Sequence, residues 1–573
     1  MLRRFARLLK ILGPAVLASG VSTGASGQPP SAPTVPTASC NALLPGKVDI
    51  GGRAVGPEEC LMQETDVMFA GRRFKRIDIG ITGTVDGYMA KARGIKEESS
   101  GNREYIHYFT NAPDLVFPQG GNPGPILKGI GRYEAAKGTS VTVIYPLQPT
   151  TWNGKMWMTF HGRGLSFQGG GMAPWDKNLD PVDPMKDISQ FERLMLEKGY
   201  AVGKTRRSSA TEGGDVVVTL EDGSVVTTGN LNDHPKIGIL FSLLTSNVVK
   251  QRLGRAPSRV YWTGHSAGAR LSREMNFVPG LNRGPDGTPI VDGILSDDTG
   301  GGLWHPVVMK EGRDVLFASE ADRAPFVPLI DVSHQLYNTE SADEGIPDFV
   351  SNNFLWNKRR TARTLAVKGL GDRYRMYEVR GVSHDGGAMR PREGEGARDI
   401  LPLWKLMDGM IDMIDRWVES GVAPPATRSD WLPLGDTDKD GILDKPAIAL
   451  PEVACPLGVY YQYPVRPDGT PGAGVGTTAF ADYNGQGLEP LDNRDVFVDM
   501  NLNRIRDDRE ALTQAWRRMG LIGPKDTLSR DRYVACVQAS AEVLQKEGFI
   551  SLATLSRYVE DAKKAVLPEE KTK

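Results

Sequence analysis

The strongest constraint on this chain is the short motif around Ser266. Residues 264–268 read Gly-His-Ser-Ala-Gly, an apolar run precedes them at residues 260–263, and a helical pattern follows from residue 269 to residue 275. A serine presented by a strand-to-helix turn has a strained backbone, and a side chain at either glycine position would collide with the neighbouring strand or helix. The motif in this context therefore predicts a nucleophilic serine.

Short β-rich runs alternate with helical stretches on both sides of this motif. Alternating strands and helices predict a mostly parallel sheet that is covered by helices on both faces. Two alternating arms around Asp222 and Gly223 predict a separate β-hairpin at residues 216–228. The predicted strands of the sheet are residues 74–81, 139–147, 155–160, 200–204, 259–263, 292–297, 326–332 and 373–379.

In these residues the chain resembles the α/β-hydrolase superfamily, over roughly residues 74–418. That superfamily orders its catalytic residues along the chain as nucleophile, acid and histidine. His305, His334 and His384 are the histidines that follow Ser266. The resemblance favours His384 as the base, because it lies in a loop directly after the last predicted strand. His305 and His334 are interpreted as residues at the rim of the site.

The resemblance leaves the catalytic acid open among several carboxylates. In the superfamily the acid follows the penultimate strand, and the loop in that place contains Glu340 and Asp343. Glu340 is the favoured residue and Asp343 is the next. Some members carry the acid after the preceding strand, which would select Asp298 or its neighbour Asp297.

An oxyanion hole requires two preorganised N–H donors. The resemblance implies that the backbone of Ala267, the residue after the nucleophile, supplies one of them. The second would come from the loop after the predicted strand 155–160, where His161 and Gly162 are similar to the HG-type motif of esterases and lipases. Arg163 stands where that motif usually has glycine, so the amides of Gly162 and Arg163 both remain candidates.

The two ends of the chain differ in character from its centre. A basic segment, an apolar run and small residues predict a signal peptide at residues 1–27, with a single membrane anchor as the alternative. A leader and N-terminal appendage then occupy residues 28–70, the catalytic domain residues 71–425, and a turn-rich and helical appendage residues 426–573. The mature protein is expected to be periplasmic or secreted, without a membrane span.

Four cysteines agree with export, because disulfides persist in oxidising compartments. Pairing of nearest neighbours joins Cys40 to Cys60 and Cys455 to Cys536, although the sequence permits three pairings. None of the four lies in a C-x-x-C arrangement, which argues against a cysteine metal site.

Two acidic segments of the tail resemble the calcium loops of secreted proteins. The first departs from the EF-hand pattern at its sixth position, where Arg504 replaces glycine, and the second lacks the closing glutamate. Turns stabilised by their own Asp and Asn side chains are the alternative interpretation. The candidate ligands are Asp499, Asn501, Asn503, Asp507 and Glu510 in the first loop, and Asp436, Asp438, Asp440 and Asp444 in the second.

Charge and resemblance together define the expected function. The formal net charge of −1 creates no global field that would attract nucleic acid. The resemblance implies a serine hydrolase that cleaves carboxylic esters, in small-molecule or polymeric substrates, without a catalytic cofactor; any calcium would be structural. An amidase or peptidase with the same triad is one alternative. A non-catalytic binding protein that keeps the fold is another, although an intact Ser266 and His384 argue against it.

Overall fold

The computed structural model describes the parts of the chain that form the sheet and its covering helices. The described residues are 43, 48–49, 54–91, 126–133, 140–160, 185, 187–205, 216–220, 222–228, 235–265, 267–284, 287–298, 306–334, 354–380, 388–389, 398–399, 401, 403–429, 447–461, 476–479 and 511–567.

The described residues form strands and helices that alternate through the middle of the chain. The strands are β1 Val48–Asp49, β2 Ala54–Phe69, β3 Arg72–Lys91, β4 Ile126–Tyr133, β5 Ser140–Pro146, β6 Lys155–Phe160, β7 Ala201–Thr205, β8 Val216–Leu220, β9 Val225–Thr228, β10 Arg259–His265, β11 Gly293–Asp297, β12 Met309–Lys310, β13 Arg313–Asp314, β14 Leu329–His334, β15 Tyr374–Val379, β16 Ala388–Met389, β17 Arg398–Asp399, β18 Gly458–Tyr461 and β19 Gly476–Ala479. The helices are α1 Gln190–Glu197, α2 Pro235–Leu253, α3 Ala267–Phe277, α4 Glu320–Arg323, α5 Phe354–Val367, α6 Trp404–Ser420, α7 Pro451–Ala454, α8 Leu512–Arg518, α9 Arg530–Lys546 and α10 Leu552–Lys564.

One large mixed sheet organises the molecule. Its strand order is β15-β14-β11-β10-β6-β7-β5-β3-β4-β8-β9, and the six strands from β15 to β7 are parallel. The strands from β5 onwards pair in antiparallel fashion, and β2 pairs with β3. All eight predicted strands of the sheet are confirmed, as is the hairpin, which forms β8 and β9 at the outer edge.

Helices cover both faces of the sheet because its central strands are apolar on both sides. Successive side chains of a strand point to opposite faces. In β10, Trp262 packs with the cluster that includes α2, α3 and α5, whereas Tyr261 packs with the cluster that includes α1, α6 and the C-terminal helices. Met158 and Trp157 of β6 divide between the two clusters in the same way. The predicted α/β architecture is therefore confirmed.

Local signals determine where several of these helices begin and end. Ser189 caps α1 by accepting a hydrogen bond from the amide of Glu192, whose side chain returns a bond to the amide of Ser189. Helix α6 ends at Gly421, which has the left-handed φ of +70° that glycine adopts easily. Among the described residues, no helix combines the length and the apolar character needed to cross a bilayer.

The first strands of the described chain, β1 to β3, belong to the large sheet. Strands β2 and β3 form a long antiparallel hairpin that turns at Ala70 and Gly71, both of which have positive φ. The predicted limit between appendage and catalytic domain, at residues 70 and 71, therefore falls in the turn of this hairpin.

The C-terminal region also contacts the catalytic layer. Arg428 and Ile448 form isolated parallel bridges with β15, and the amide of Gly409 in α6 donates to the carbonyl of Phe549 at 3.1 Å. The predicted disulfide between Cys455 and Cys536 is present. Cys40 and the side chain of Cys60 lie outside the described residues, so their pairing stays a prediction.

Candidate active site

The predicted strand-to-helix context of Ser266 is confirmed on both sides of the residue. Strand β10 ends at His265 and helix α3 begins at Ala267, while Ser266 itself lies outside the described residues. Strand β10 lies between β6 and β11 in the parallel part of the sheet. A parallel strand followed at once by a helix is the setting in which a G-x-S-x-G serine acts as a nucleophile.

Both glycines of the motif occupy places where a side chain cannot fit. A Cβ atom on Gly264 would lie 2.6 Å from the carbonyl oxygen of Gly268 and 2.8 Å from that of Phe160. A Cβ atom on Gly268 would lie 2.7 Å from the carbonyl carbon of Phe160 and would clash even more severely with its oxygen. These neighbours are backbone atoms and cannot rotate away. The start of α3 therefore packs directly on the end of β6.

The proposed triad and oxyanion hole fall mostly in loops that the structure does not describe. Ala267 is the first residue of α3, where amide N–H groups have no partner within the helix. The remaining predicted residues, Ser266, His384, Glu340, Asp343, Gly162 and Arg163, lie outside the described residues. Their loops follow β10, β15, β14 and β6, which are parallel strands with their carboxyl ends at one edge of the sheet.

A buried carboxylate, that of Asp297, links two histidines, one of which is His265, the residue directly before Ser266. Asp297 Oδ2 lies 2.7 Å from His265 Nδ1, and Asp297 Oδ1 lies 3.0 Å from His334 Nε2. The three side chains come from β10, β11 and β14, and all three are fully buried. His265 and Asp297 are direct partners in the parallel register of β10 and β11, which explains how residues far apart in sequence meet.

A second carboxylate and a lysine extend this network toward α5. Asp298 Oδ2 lies 3.6 Å from His334 Nδ1, and Lys358 Nζ donates to Asp298 Oδ1 at 2.9 Å. Asp298 has a φ of +44°, which is unusual for a residue other than glycine. We call these five residues, His265, Asp297, Asp298, His334 and Lys358, the buried network.

Charge and hydrogen bonding decide the ionisation of Asp297. Burial raises the pKa of this carboxyl, but the charge of His334 and hydrogen bonds from His265 and His334 outweigh burial and lower the pKa to about 2. Asp297 is therefore ionised at neutral pH, and its two oxygens accept hydrogen bonds from the two imidazoles.

The structure corrects the interpretation of His334. The resemblance favours a place for His334 at the rim of the site, but His334 is fully buried at the end of β14. Both of its ring nitrogens face carboxylates, with Nε2 3.0 Å from Asp297 Oδ1 and Nδ1 3.6 Å from Asp298 Oδ2. This arrangement makes His334 a poor general base. His305, the other rim candidate, lies outside the described residues.

Sequence reasoning considered Asp297 and Asp298 as alternative catalytic acids but missed the network that contains them. His265 was not assigned any role, although it lies within the motif. In the structure, Asp297 binds His265 and His334, and Asp298 binds Lys358. A polar residue at the carboxyl end of a predicted strand, or two positions beyond it, occurs in three of the predicted strands and was the signal that could have revealed the network.

The structure does not test the candidate calcium loops. Both sets of predicted ligands, residues 499–510 and 436–444, lie outside the described residues. Among the described residues, the group of side chains that could hold a metal ion is His265, Asp297 and His334.

A family comparison agrees with the fold and with the motif. The family model described as "Alpha/beta hydrolase domain" matches residues 242–560, which is more than half of the 573 residues. This chain belongs to that alpha/beta hydrolase family. The match runs from α2 to α10, so the family region of this alpha/beta hydrolase includes the C-terminal helices beyond residue 425.

Solved structures with a likeness to this alpha/beta hydrolase share little sequence with it. A carbohydrate esterase from gut microbiota is 14% identical, covering 48% of this chain and 90% of its own, with a TM-score of 0.27. A poly(3-hydroxybutyrate) depolymerase from Bordetella parapertussis is also 14% identical, covering 52% and 92%, with a TM-score of 0.26. An esterase of Rhizomucor miehei is 9% identical, covering 63% and 87%, with a TM-score of 0.27. No curated protein matches the chain.

Proposed function

We propose that this alpha/beta hydrolase is a secreted serine hydrolase that cleaves carboxylic ester bonds through an acyl-enzyme intermediate. The observation that carries the proposal is the turn between β10 and α3, in which Gly264 and Gly268 occupy positions closed to any side chain. Such a turn exposes a serine at the edge of the sheet while its neighbours pack closely. Ser266 is the residue at its centre.

In the proposed reaction, Ser266 attacks the ester carbonyl while His384 accepts its proton and later returns that proton to the leaving alcohol. Glu340 orients the imidazole of His384, with Asp343 and Asp298 as the alternatives. The amides of Ala267 and of Gly162 or Arg163 stabilise the oxyanion. Water then releases the acyl group, and no cofactor takes part in these steps.

The contact between α3 and β6 supports this oxyanion hole. Gly268 packs on the backbone of Phe160, the last residue of β6, and the His161–Gly162 motif begins at the next position. Two hydrogen bonds at Thr159 stabilise the end of β6. Thr205 donates to the carbonyl oxygen of Thr159 at 3.3 Å, and the Thr159 hydroxyl donates to Glu192 at 2.6 Å. The backbone at the start of α3 and the backbone at the end of β6, from which the proposed oxyanion donors extend, are therefore packed against each other.

The decisive experiment combines substitution with active-site labelling. Ser266→Ala should lower hydrolysis of p-nitrophenyl acetate by at least about a thousand-fold, because removal of a triad nucleophile disables the coupled residues together. A fluorophosphonate should label the wild-type protein at Ser266, as found by peptide mass spectrometry, and should not label the variant. Retention of a tenth of the activity, or a label on another residue, would overturn the assignment of the nucleophile.

A substrate series tests the bond that is cleaved. We expect turnover of p-nitrophenyl esters, and of a polyester such as poly(3-hydroxybutyrate) if the site accepts polymers, with much slower turnover of the matched aryl amides. Faster hydrolysis of the amides would replace the ester assignment with an amidase. Labelling without turnover of any substrate would favour a binding protein.

Export is the proposed location, and the disulfide between Cys455 and Cys536 supports it. Structural disulfides form in oxidising compartments such as the periplasm. Expression of the full chain in a bacterial host should yield mature protein in the periplasm or medium that begins near residue 28. N-terminal sequencing that finds the first 27 residues intact on exported protein would favour a membrane anchor instead.

Structural calcium is a further part of the proposal, and it rests on the oxygen-rich loops at residues 436–444 and 499–510. A ligand that binds the native state alone raises stability by mass action. Millimolar calcium should therefore raise the melting temperature, and Asp499→Asn should weaken that response. An unchanged melting temperature, together with no calcium in elemental analysis, would leave both loops as ordinary turns.

A further inference from the structure

A strained turn keeps its geometry only when its surroundings hold it on both sides. On one side of the turn at Ser266, the backbone of Gly268 is pressed against Phe160 of β6. On the other side, His265 is the last residue of β10 before the serine, and its side chain is fully buried. Contacts that fix the position of His265 therefore also restrict the backbone conformation open to Ser266, the next residue.

The hydrogen-bond partners of Asp297 determine the tautomers of both histidines. An ionised carboxylate only accepts hydrogen bonds, so His265 Nδ1 and His334 Nε2 must both carry a proton. Asp298 Oδ2 lies 3.6 Å from the remaining nitrogen of His334, and Lys358 Nζ donates to the other oxygen of Asp298.

The buried network places two acidic side chains, two histidines and a lysine out of reach of solvent. Buried ionic groups cost free energy relative to apolar packing even when they are paired. A network of this kind directly behind a proposed nucleophile therefore calls for a role other than stability.

We propose that Asp297 is a positioning residue for the nucleophile. Its carboxylate fixes the orientation and the tautomer of His265 and, through the backbone of β10, the start of the turn that carries Ser266. Asp297 does not touch the substrate in this proposal, and the proposal rests on the proposed function of Ser266. It also assigns Asp297 to a task different from that of the triad acid.

Geometry favours protons over a metal ion at this site. The ligand atoms of His265, Asp297 and His334 lie within 4.8 Å of one another, which a metal ion could span. However, the nitrogen-to-oxygen distances of 2.7 Å and 3.0 Å are those of ordinary N–H···O hydrogen bonds.

The first test compares Asp297→Asn with Asp331→Asn. An asparagine at position 297 would turn its NH₂ group toward one of the two imidazole N–H groups, so one hydrogen bond would be lost. We expect kcat for p-nitrophenyl acetate to fall at least about tenfold with KM within about twofold, because small misplacements of a reacting group cost large factors in rate. The fluorophosphonate labelling rate of Ser266 should fall in parallel.

Asp331→Asn is the matched control. Asp331 is equally buried on the neighbouring strand β14, where it accepts a hydrogen bond from Tyr374 at 2.9 Å and pairs with Arg273 at 3.5 Å. Its partners among the described residues are Tyr374 and Arg273 rather than His265 or His334. Asp331→Asn should therefore keep kcat within about threefold of wild type, even if it lowers the melting temperature as much as Asp297→Asn does. Equal losses of kcat in the two variants would overturn the proposal.

A second pair of variants keeps the test decisive if Asp297→Asn does not fold. In His265→Asn the side-chain NH₂ group can still donate to Asp297, whereas His265→Leu removes the donor and keeps a similar volume. We expect His265→Asn to retain clearly more of the labelling rate and of kcat than His265→Leu. Equal rates would show that the hydrogen bond does not position the nucleophile.

Two further outcomes separate this proposal from others. If wild-type protein is not labelled at Ser266, the proposed function fails before the positioning role is tested; if labelling is normal but indifferent to Asp297→Asn, only the positioning role fails. A stoichiometric metal in the wild-type protein that is lost in Asp297→Asn would also overturn the proposal, in favour of a metal site.

Discussion

Ionic side chains are used differently behind the nucleophile turn and at the C-terminal helices. In the buried network every member is almost completely shielded from solvent. The ion pairs that join the C-terminal helices to the rest of the chain are partly exposed, as in Arg557 with Glu197, where the side chains are 41% and 32% exposed. The first region concentrates buried charge, and the second distributes charge at the rim of an apolar contact.

The difference indicates what each region is built for. Partly exposed ion pairs contribute little to stability, typically about 0–1 kcal/mol each. The C-terminal helices must therefore be held mainly by their share of the apolar cluster, including Phe549 and Trp516, and by the disulfide. Burying charged groups behind the nucleophile costs folding free energy. We infer that this cost is offset by the precise geometry that the buried network gives to the turn at Ser266. The two regions should consequently respond differently to substitution.

The largest expected effect is at the turn itself. Gly268→Ala places a Cβ atom against the backbone of Phe160, so α3 must move away from β6. Hydrolysis should fall by at least about a thousand-fold, because both the nucleophile and the oxyanion donor shift. The measurement is kcat/KM for p-nitrophenyl acetate on protein that is folded by circular dichroism.

Gly223→Ala is the control for this substitution. Gly223 lies at the tip of the β8–β9 hairpin with a φ of +83° and no atom near the added Cβ. It should cost about 1 kcal/mol of stability from backbone strain and leave kcat/KM unchanged. Comparable activity losses in the two variants would contradict the close-packed turn.

The second effect concerns stability and should spare activity. Cys455→Ser combined with Cys536→Ser opens a loop of 81 residues, and the loss of loop-closure entropy predicts a destabilisation of about 4.5 kcal/mol. Denaturant unfolding should show a loss of this order, while kcat remains close to that of the wild-type protein under native conditions. A large loss of kcat in folded protein would mean that the C-terminal helices also shape the active site.

Sequence reasoning succeeded where the signal was local. The strands, the hairpin around Asp222 and Gly223 and the context of Ser266 follow from periodicity and turn residues over a few positions. The disulfide followed from proximity along the chain. The strand, hairpin and turn signals are each contained in a short window, whereas the disulfide joins cysteines 81 residues apart and followed from pairing each cysteine with its nearest neighbour in the sequence.

The sequence failed where contacts depend on the order and register of the sheet. His265, Asp297 and His334 are separated by 32 and 37 residues and meet because β10, β11 and β14 are parallel neighbours. The local pattern places Asp297 at the end of a predicted strand but does not indicate which residues of the neighbouring strands it meets. The bridges of Arg428 and Ile448 to β15 were missed for a similar reason, since isolated bridges have no periodicity.

The third effect is the acid response of the buried network. The pKa of Asp297 is about 2 in the folded protein, below its ordinary value of 3.8. A depressed carboxyl pKa stabilises the fold above the unfolded-state pKa, and this contribution is lost as the pH falls through the folded-state value. The difference in unfolding free energy between wild type and Asp297→Asn should therefore shrink by about 2 kcal/mol between pH 4.5 and pH 2. Denaturant titrations at several pH values measure it, and a constant difference would contradict an ionised Asp297.

The smallest expected effect is the loss of unfolding free energy when an exposed ion pair of α10 is broken, compared with the loss when a buried pair beside α10 is broken. Arg557 of α10 lies 3.5 Å from Glu197 of α1, and both groups reach solvent, so Arg557→Ala should cost less than about 1 kcal/mol of unfolding free energy. Asp408 of α6 is the matched comparison for Arg557. Asp408 is buried and pairs with Lys198 at 2.9 Å. It also accepts hydrogen bonds from the Ser551 amide at 3.2 Å and from the Thr554 hydroxyl at 2.7 Å, at the start of α10. Removing one partner of a buried pair leaves the other uncompensated, so Asp408→Asn should cost at least about 2 kcal/mol. Urea unfolding of both variants measures the two losses side by side. Equal losses would mean that the ion pairs at the rim, rather than the apolar contact and its buried polar groups, hold the C-terminal helices in place.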